Sequence, residues 1–281
     1  MLYRFRILIE AVILRYNRLR FHLFFKKRPG AGEYCNSKFI NVIRQPLEDS
    51  ASRPNLVIIR CGTRHRLIDD GSGRNFDIAL NLYAKADPPY VDDCEYLYSG
   101  GINKYKAALQ FISEELMCKY EGFMLLDDDL EMTYSQLSRF LAYCSDHGFG
   151  LAQPSLTPDS SYSHGHLVNT SQRGWRPVHM VEVMCPYFSS AALRTVISTF
   201  GLNESTWGLD FIWPRLLDAS PAVVDEFTIR HTKPSGVGGF YRYMWAIGVS
   251  PQRELNRLKQ TPVEKLGLRR TRSGLKGTYL K

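Results

Sequence analysis

The chain has 281 residues, 44% of them hydrophobic and 23% charged, with 21 Gly and 14 Pro. That composition excludes a collagenous, mucin-like or wholly disordered polypeptide and supplies enough apolar material for one large domain or two small ones. The formal net charge of +8 is uneven: residues 1–28 carry eight Lys/Arg against Glu10 and residues 253–281 carry nine against two acids, while the stretch between is acidic, with 19 against 25. A nucleic-acid reader carries its positive surface on the folded body, so the split argues against nucleic acid as the partner.

The most apolar opening stretch, 7–14, is broken by Glu10 and flanked by Arg6 and Arg15. It is shorter than the roughly 18 residues a spanning helix needs, and no small-residue cleavage site follows it, so neither a membrane span nor a signal peptide is expected. The six cysteines lie at least 24 positions apart without a CxxC or His-rich cluster. This spacing argues against a zinc knuckle or a disulfide framework and for reduced thiols in a cytoplasmic protein.

Read as a helix, residues 1–28 place Leu2, Phe5, Ile9, Val12, Ile13, Tyr16 and Leu19 near one face, with Arg4, Arg15 and Arg18 outside it. Such a basic amphipathic helix either lies on an anionic membrane surface or packs on the protein's own core. Residues 29–54 are rich in breakers and read as a linker or lead-in. From residue 55 to 249 short β-rich runs alternate with helical ones. Strands are expected over 56–60, 76–83, 95–99, 123–127, 150–154, 180–188 and 223–231. Helices are expected over 103–120, over 133–147 with Thr133 and Gln136 in capping-box spacing, over 191–200 and from Pro251 onward into a basic tail, 250–281. Alternation of this kind predicts an α/β fold, a sheet with helices on its faces.

The sharpest chemical feature is FMLLDDDLEM, an apolar strand running into Asp127, Asp128 and Asp129. In an open α/β sheet, ligands bind beyond the carboxyl ends of the strands. An extended chain there turns Asp127 and Asp129 to one side and Asp128 to the other. Facing carboxylates repel unless a cation lies between them, and hard oxygen ligands suit Mn²⁺ or Mg²⁺ bridging phosphates. The plainer alternative is a solvated acidic turn.

The strand-then-DxD arrangement resembles the nucleotide-sugar glycosyltransferases of GT-A type. With LAQPS at 151–155, VEVMCPYF at 181–188, WGLD at 207–210 and VDEFTIRHTKP at 224–234, residues 55–240 look like the plant and bacterial family of unknown function numbered seven hundred and seven. The resemblance implies a GT-A-like mixed sheet and a metal-dependent, inverting transfer from a nucleotide-sugar donor, a UDP-sugar foremost, to a glycan or glycolipid acceptor in cell-surface polysaccharide synthesis. It also implies roles: Asp129, Asp127 and His231 as metal ligands, with Asp127 near the ribose; Arg60, Arg64, Asp77 and Lys233 as donor contacts; Trp207 as a sugar platform; Asp210 as general base, with Glu182 second. By themselves His231 reads as a packing or surface histidine, Asp210 as an acid favoured by a helix N-terminus, and Glu182 as a solvent-facing strand residue. The basic ends place the enzyme at the inner face of the cytoplasmic membrane. Two other readings are a haloacid-dehalogenase-like phosphohydrolase, whose apolar strand also meets a DxD, and a non-enzymatic adaptor that binds through its basic tails.

Overall fold

Val57 and Ile59 point to one side of their strand and Leu56 and Ile58 to the other, and all four are fully buried. A strand apolar on both faces requires cover on both, and helices supply it. In the computed structural model the described residues are 38–46, 53–62, 64–84, 91–217, 219–234 and 239–266. The helix expected over 1–28, Cys35 and the tail beyond 266 lie outside them. The strands are β1 (Ile40–Arg44), β2 (Asn55–Cys61), β3 (Leu67–Ile68), β4 (Phe76–Leu82), β5 (Tyr96–Gly100), β6 (Gly122–Asp127), β7 (Leu130–Thr133), β8 (Leu151–Leu156), β9 (Trp175–Pro177), β10 (Tyr187–Ser189) and β11 (Ala222–His231). The helices are α1 (Lys104–Phe111), α2 (Glu114–Lys119), α3 (Tyr134–Asp146), α4 (Ser190–Val196), α5 (Leu209–Leu217), α6 (Gly239–Ala246) and α7 (Pro251–Gln260).

The strands form one mixed sheet in the order β1-β5-β4-β2-β6-β10-β8-β11-β7-β3, with β9 also paired to β11. Strands β5, β4, β2 and β6 are parallel, β10 runs antiparallel between β6 and β8, and β11 lies parallel to β8. Helix α3 covers one face; α1, α4, α5 and α7 contribute to the core on the other. This is the α/β architecture that the alternation of elements predicts. Among the described residues no helix is long and apolar enough to cross a membrane, and the five described cysteines are free.

Three local expectations change. The helix expected over 103–120 is two helices, because the Ser113 side chain accepts the Leu116 N–H and starts α2 afresh. The breaker-rich lead-in over 29–54 holds strand β1, paired antiparallel to β5. The strand expected over 180–188 forms only at β10. Pro186 offers no N–H to a ladder, and the residues before it turn, with the Glu182 N–H donating to Gln153 Oε1 at 2.7 Å. Helix α3 carries the full capping box at Thr133 and Gln136.

Gly208 sits at φ +96°, in the left-handed region. A Cβ there would lie 3.1 Å from Leu258 Cβ and 3.2 Å from Leu255 Cα, so the glycine admits α7 against the chain just before α5. Replacing Gly208 with Ala is expected to lower stability by about 1–3 kcal/mol in urea unfolding, from strain at that backbone conformation. A loss below about 0.5 kcal/mol, the range of neutral surface changes, would remove this constraint.

Candidate functional site: a two-chambered cleft at the strand ends

Parallel strands β2 and β6 end in register, Arg60 opposite Asp127, and the chain then turns through Asp128 and Asp129. The three carboxylates meet different surroundings. Asp127 Oδ1 is 2.9 Å from the ammonium of Lys104, a side chain 5% exposed at the start of α1. Asp128 turns back toward β2 and β4, where its Oδ2 accepts the Gly62 N–H at 2.8 Å and the Tyr83 hydroxyl at 2.9 Å. Asp129 Oδ1 is buried with no hydrogen-bond partner. Burial, and after it the charge of Asp127, raises the Asp129 carboxyl above the ordinary carboxylate range.

His231 reaches Asp129 by strand pairing. The short strand β7, which the sequence pattern did not reveal, lies antiparallel to β11 with His231 opposite Leu130. The Asp129 carbonyl accepts both the N–H and the hydroxyl of Thr232, at 3.0 and 2.9 Å. His231 Nδ1 is 2.7 Å from the Ser161 carbonyl. A carbonyl only accepts, so Nδ1 donates to it, and Nε2 faces Asp129 Oδ1, 3.7 Å away. A metal-binding imidazole is held in the same way, its second nitrogen donating to a carbonyl. With the orphaned Asp129 oxygen, the pair fits a hard divalent cation. Among the described residues no group of three or more His, Cys, Asp or Glu side chains is arranged to hold a metal. Two protein ligands, with water and phosphate oxygens in the remaining positions, suit Mg²⁺ or Mn²⁺.

Two cavities adjoin at Asp127 and Asp129. The first, about 240 Å³, is lined by Arg60, Tyr83, Lys104, Lys233 and Tyr241 together with all three aspartates. The second, about 400 Å³, is lined by Asp127, Asp129, His164, Glu182, Trp207, Asp210, His231 and Tyr241. The cationic groups thus lie on one side of the aspartates and the remaining buried carboxyls on the other.

Glu182 and Asp210 are 8% and 6% exposed. Burial, followed by the charges of Asp210 and Asp127, pushes Glu182 up to about 8, and its Oε2 has no hydrogen-bond partner. Burial pushes Asp210 up to about 7, opposed by backbone N–H groups at the start of α5 and by Lys259. A carboxyl poised near neutrality is what a general base requires. Trp207 lies beside them, its indole N–H donating to the Tyr241 hydroxyl at 3.2 Å.

The cleft therefore gathers Asp127, Asp129, Glu182, Trp207, Asp210, Lys233 and His231. Other expected donor contacts are placed differently. Asp77 lies at the opposite end of the sheet, opposite Leu56 in register, where it accepts from Arg53 at 2.8 Å and from the Tyr120 hydroxyl at 2.7 Å. It is a structural acid, because the amino end of a parallel strand points away from the cleft. Arg60 faces the first cavity, but its guanidinium donates to the Asn81 side chain and to the Gly100 and Gly101 carbonyls. It braces the loop after β5. Arg64 lines an adjoining pocket with Arg66 and Glu131, and that pocket shares Asp128 and Lys233 with the first cavity. Gly208 lines the second cavity and also makes the close approach that admits α7. Lys104 and Tyr241 were not singled out by any motif.

The fold and site define a mixed α/β protein with a ligand cleft across the carboxyl ends of its strands. No family model matches the chain, so the resemblance to the family of unknown function stands on its quoted motifs alone, and a search of curated proteins finds no match. Among solved structures the chain is similar to TarS of S. aureus. Residues 1–349 of TarS in complex with UDP superpose with a TM-score of 0.43 and 12% identity over 73% of this chain and 70% of that one. The same region with UDP-GlcNAc gives 0.44 and 11% over 73% and 71%. Another TarS structure gives 0.44 and 10% over 76% of this chain and 44% of that one. The shared ground is a loose likeness of fold.

The raised Glu182 carboxyl makes stability depend on pH. The folded state keeps a proton that the unfolded chain loses near 4.5, so stability falls as pH rises from about 4.5 to about 8. Glu182→Gln is expected to raise the Tm at pH 8.5 by several degrees, at about 2–4 °C per kcal/mol for a chain of this size, and to leave it unchanged at pH 4. An equal shift at both pH values would show that Glu182 is not protonated in the fold.

Proposed function

We propose that the protein is a metal-dependent, inverting glycosyltransferase that moves a sugar from a nucleotide-sugar donor, a UDP-sugar foremost, to a hydroxyl of a glycan or glycolipid. The observation that carries this reading is the pair of cavities meeting at Asp127 and Asp129, with cations on one side and a tryptophan with buried carboxyls on the other. A donor diphosphate suits the first, near Lys233 and beside the Asp129–His231 pair. A saccharide acceptor suits the second, with Trp207 as its apolar platform. Asp129 and His231 would hold a divalent cation, which would supply Lewis-acid charge at the leaving diphosphate.

In the transfer, the acceptor hydroxyl oxygen forms the new bond to the anomeric carbon while the bond from that carbon to the diphosphate oxygen breaks, its electron pair leaving with the diphosphate. Asp210 takes the hydroxyl proton. Direct displacement places the base opposite the leaving group, which agrees with Asp210 and the cationic groups lying on opposite sides of Asp127 and Asp129. The reading includes the wider likeness to the GT-A-type family and a role in surface-polysaccharide assembly.

The decisive experiment measures nucleotide released from a panel of nucleotide sugars with Mn²⁺ and acceptor glycans. Turnover is expected with one donor and to cease in EDTA. Asp129→Asn is expected to abolish Mn²⁺-dependent donor binding. Asp210→Asn is expected to lower kcat by on the order of 10²-fold or more with little change in donor affinity. Equal donor affinity in EDTA, or normal turnover by Asp210→Asn, would refute the metal role or the base assignment respectively.

The basic segment 1–28 is proposed to attach the enzyme to anionic lipid at the inner face of the cytoplasmic membrane. Flotation with anionic vesicles is expected to be lost in 1 M salt, where the Debye length is about 3 Å, and on deletion of residues 1–28. Flotation unchanged by that deletion would show that the attachment lies elsewhere.

A further inference from the structure

Among the described residues, Lys104 is a buried charged group of the cleft wall that no motif and no step of the proposed transfer uses. Its ammonium lies 2.7 Å from the Val183 carbonyl, 3.1 Å from that of Met184 and 3.2 Å from that of Leu125, as well as 2.9 Å from Asp127 Oδ1. An ammonium has three N–H donors, so these acceptors consume it entirely. The geometry points to a built-in counter-ion. We propose that Lys104 fixes the Asp127 carboxylate, keeps it out of metal coordination and leaves Asp129 and His231 as the protein's metal ligands.

The surroundings favour this over a role in gripping phosphate. A lysine that binds a ligand's phosphate keeps donors free for it, whereas this one ties together the end of β6, the turn at Val183–Met184 and the start of α1. The carbonyls hold the ammonium in place, and its charge stands where a second cation bound to Asp127 would be repelled. Asp129 has no such partner: its orphaned Oδ1 faces His231. Lys104 is thus a positioning residue, acting on ligands through Asp127.

The proposal rests on the metal-dependent reading above, and its test uses Mn²⁺ alone, by calorimetry on the full chain. Asp127→Asn is expected to weaken Mn²⁺ only about threefold, through the charge of the then uncompensated Lys104, while Asp129→Asn weakens it by on the order of 10-fold or more. Lys104→Met is expected to tighten Mn²⁺ by on the order of 10-fold, because the freed Asp127 carboxylate then joins the site. The gain should vanish in the double variant Lys104→Met with Asp127→Asn. A lysine that only stabilised the fold would lower the Tm without tightening Mn²⁺.

The proposal is overturned if Asp127→Asn weakens Mn²⁺ as much as Asp129→Asn does, or if folded Lys104→Met binds Mn²⁺ no more tightly than the wild type. Should Lys104→Met fail to fold, the comparison of Asp127→Asn with Asp129→Asn decides. Wild-type protein that binds no Mn²⁺ would refute the metal-dependent reading and this metal assignment with it. The counter-ion pairing is then judged separately by melting: a double variant with a higher Tm than Lys104→Met supports it, and one with a lower Tm overturns it.

Discussion

Three consecutive carboxylates at the mouth of a fully buried strand are the constraint around which the cleft is arranged. Residues 123–126 are inaccessible to solvent, so the charges that follow stand at the border of a low-dielectric core, where repulsion is poorly screened. Each acid meets this in its own way. Asp127 has a buried ammonium, Asp128 has a backbone N–H and a phenol, and Asp129 faces the imidazole of His231 across a gap too wide for a hydrogen bond. The first two are settled within the protein. The third leaves an unpaired oxygen where the two cavities meet.

The sheet order explains how distant segments supply these partners. Strand β10, antiparallel beside β6, follows the turn that contains Glu182, Val183 and Met184, and Asp127 donates its N–H to the Met184 carbonyl at 3.0 Å. Strand β11 delivers His231 by pairing with β7. Helix α5 carries Asp210 in its first turn, and α7 packs behind it through the space left by Gly208. The cleft is therefore assembled from chain segments on both sides of β6, and neither half of the sheet holds it alone.

Much of this order was legible in the sequence, for identifiable reasons. The strands β2, β4, β5, β6, β8 and β11 are continuous or alternating apolar runs, and the caps of α3 and α7 are written as Thr133 with Gln136 and Ser250 with Pro251. The acids 127–129 stood out because charge beside an apolar strand has to be accounted for, whereas His231, Trp207, Asp210 and Glu182 were singled out only by the resemblance to GT-A-type enzymes. Strands β3, β7 and β9 were not, since two to four residues show no period. Lys104 was hidden for a different reason: one lysine in a helix reads as a solvated side chain, and only the carbonyls of residues separated from it by 21, 79 and 80 positions give it a role. Asp77 failed in the other direction. It is the second residue of β4, at the amino end of a strand whose carboxyl end borders the cleft.

The two remaining acids of the second cavity are divided by their hydrogen bonds. Asp210 accepts the Phe211 N–H at 3.1 Å at the start of α5, where the helix dipole favours negative charge, and Lys259 adds a cation. Glu182 has neither: its Oε2 is unpartnered, and burial and the neighbouring acids all work against its ionisation. When one of the two gives up a proton, it is Asp210 that loses it first, and its charge then makes the loss from Glu182 harder still. Burial raises both carboxyls, and the hydrogen bonds at Asp210 make it the easier of the two to ionise. In the proposed transfer, Asp210 is thus the carboxylate that receives the acceptor's proton. Glu182, still protonated, is left to donate a hydrogen bond within the same cavity, so the two acids need not carry opposing charge against the incoming saccharide.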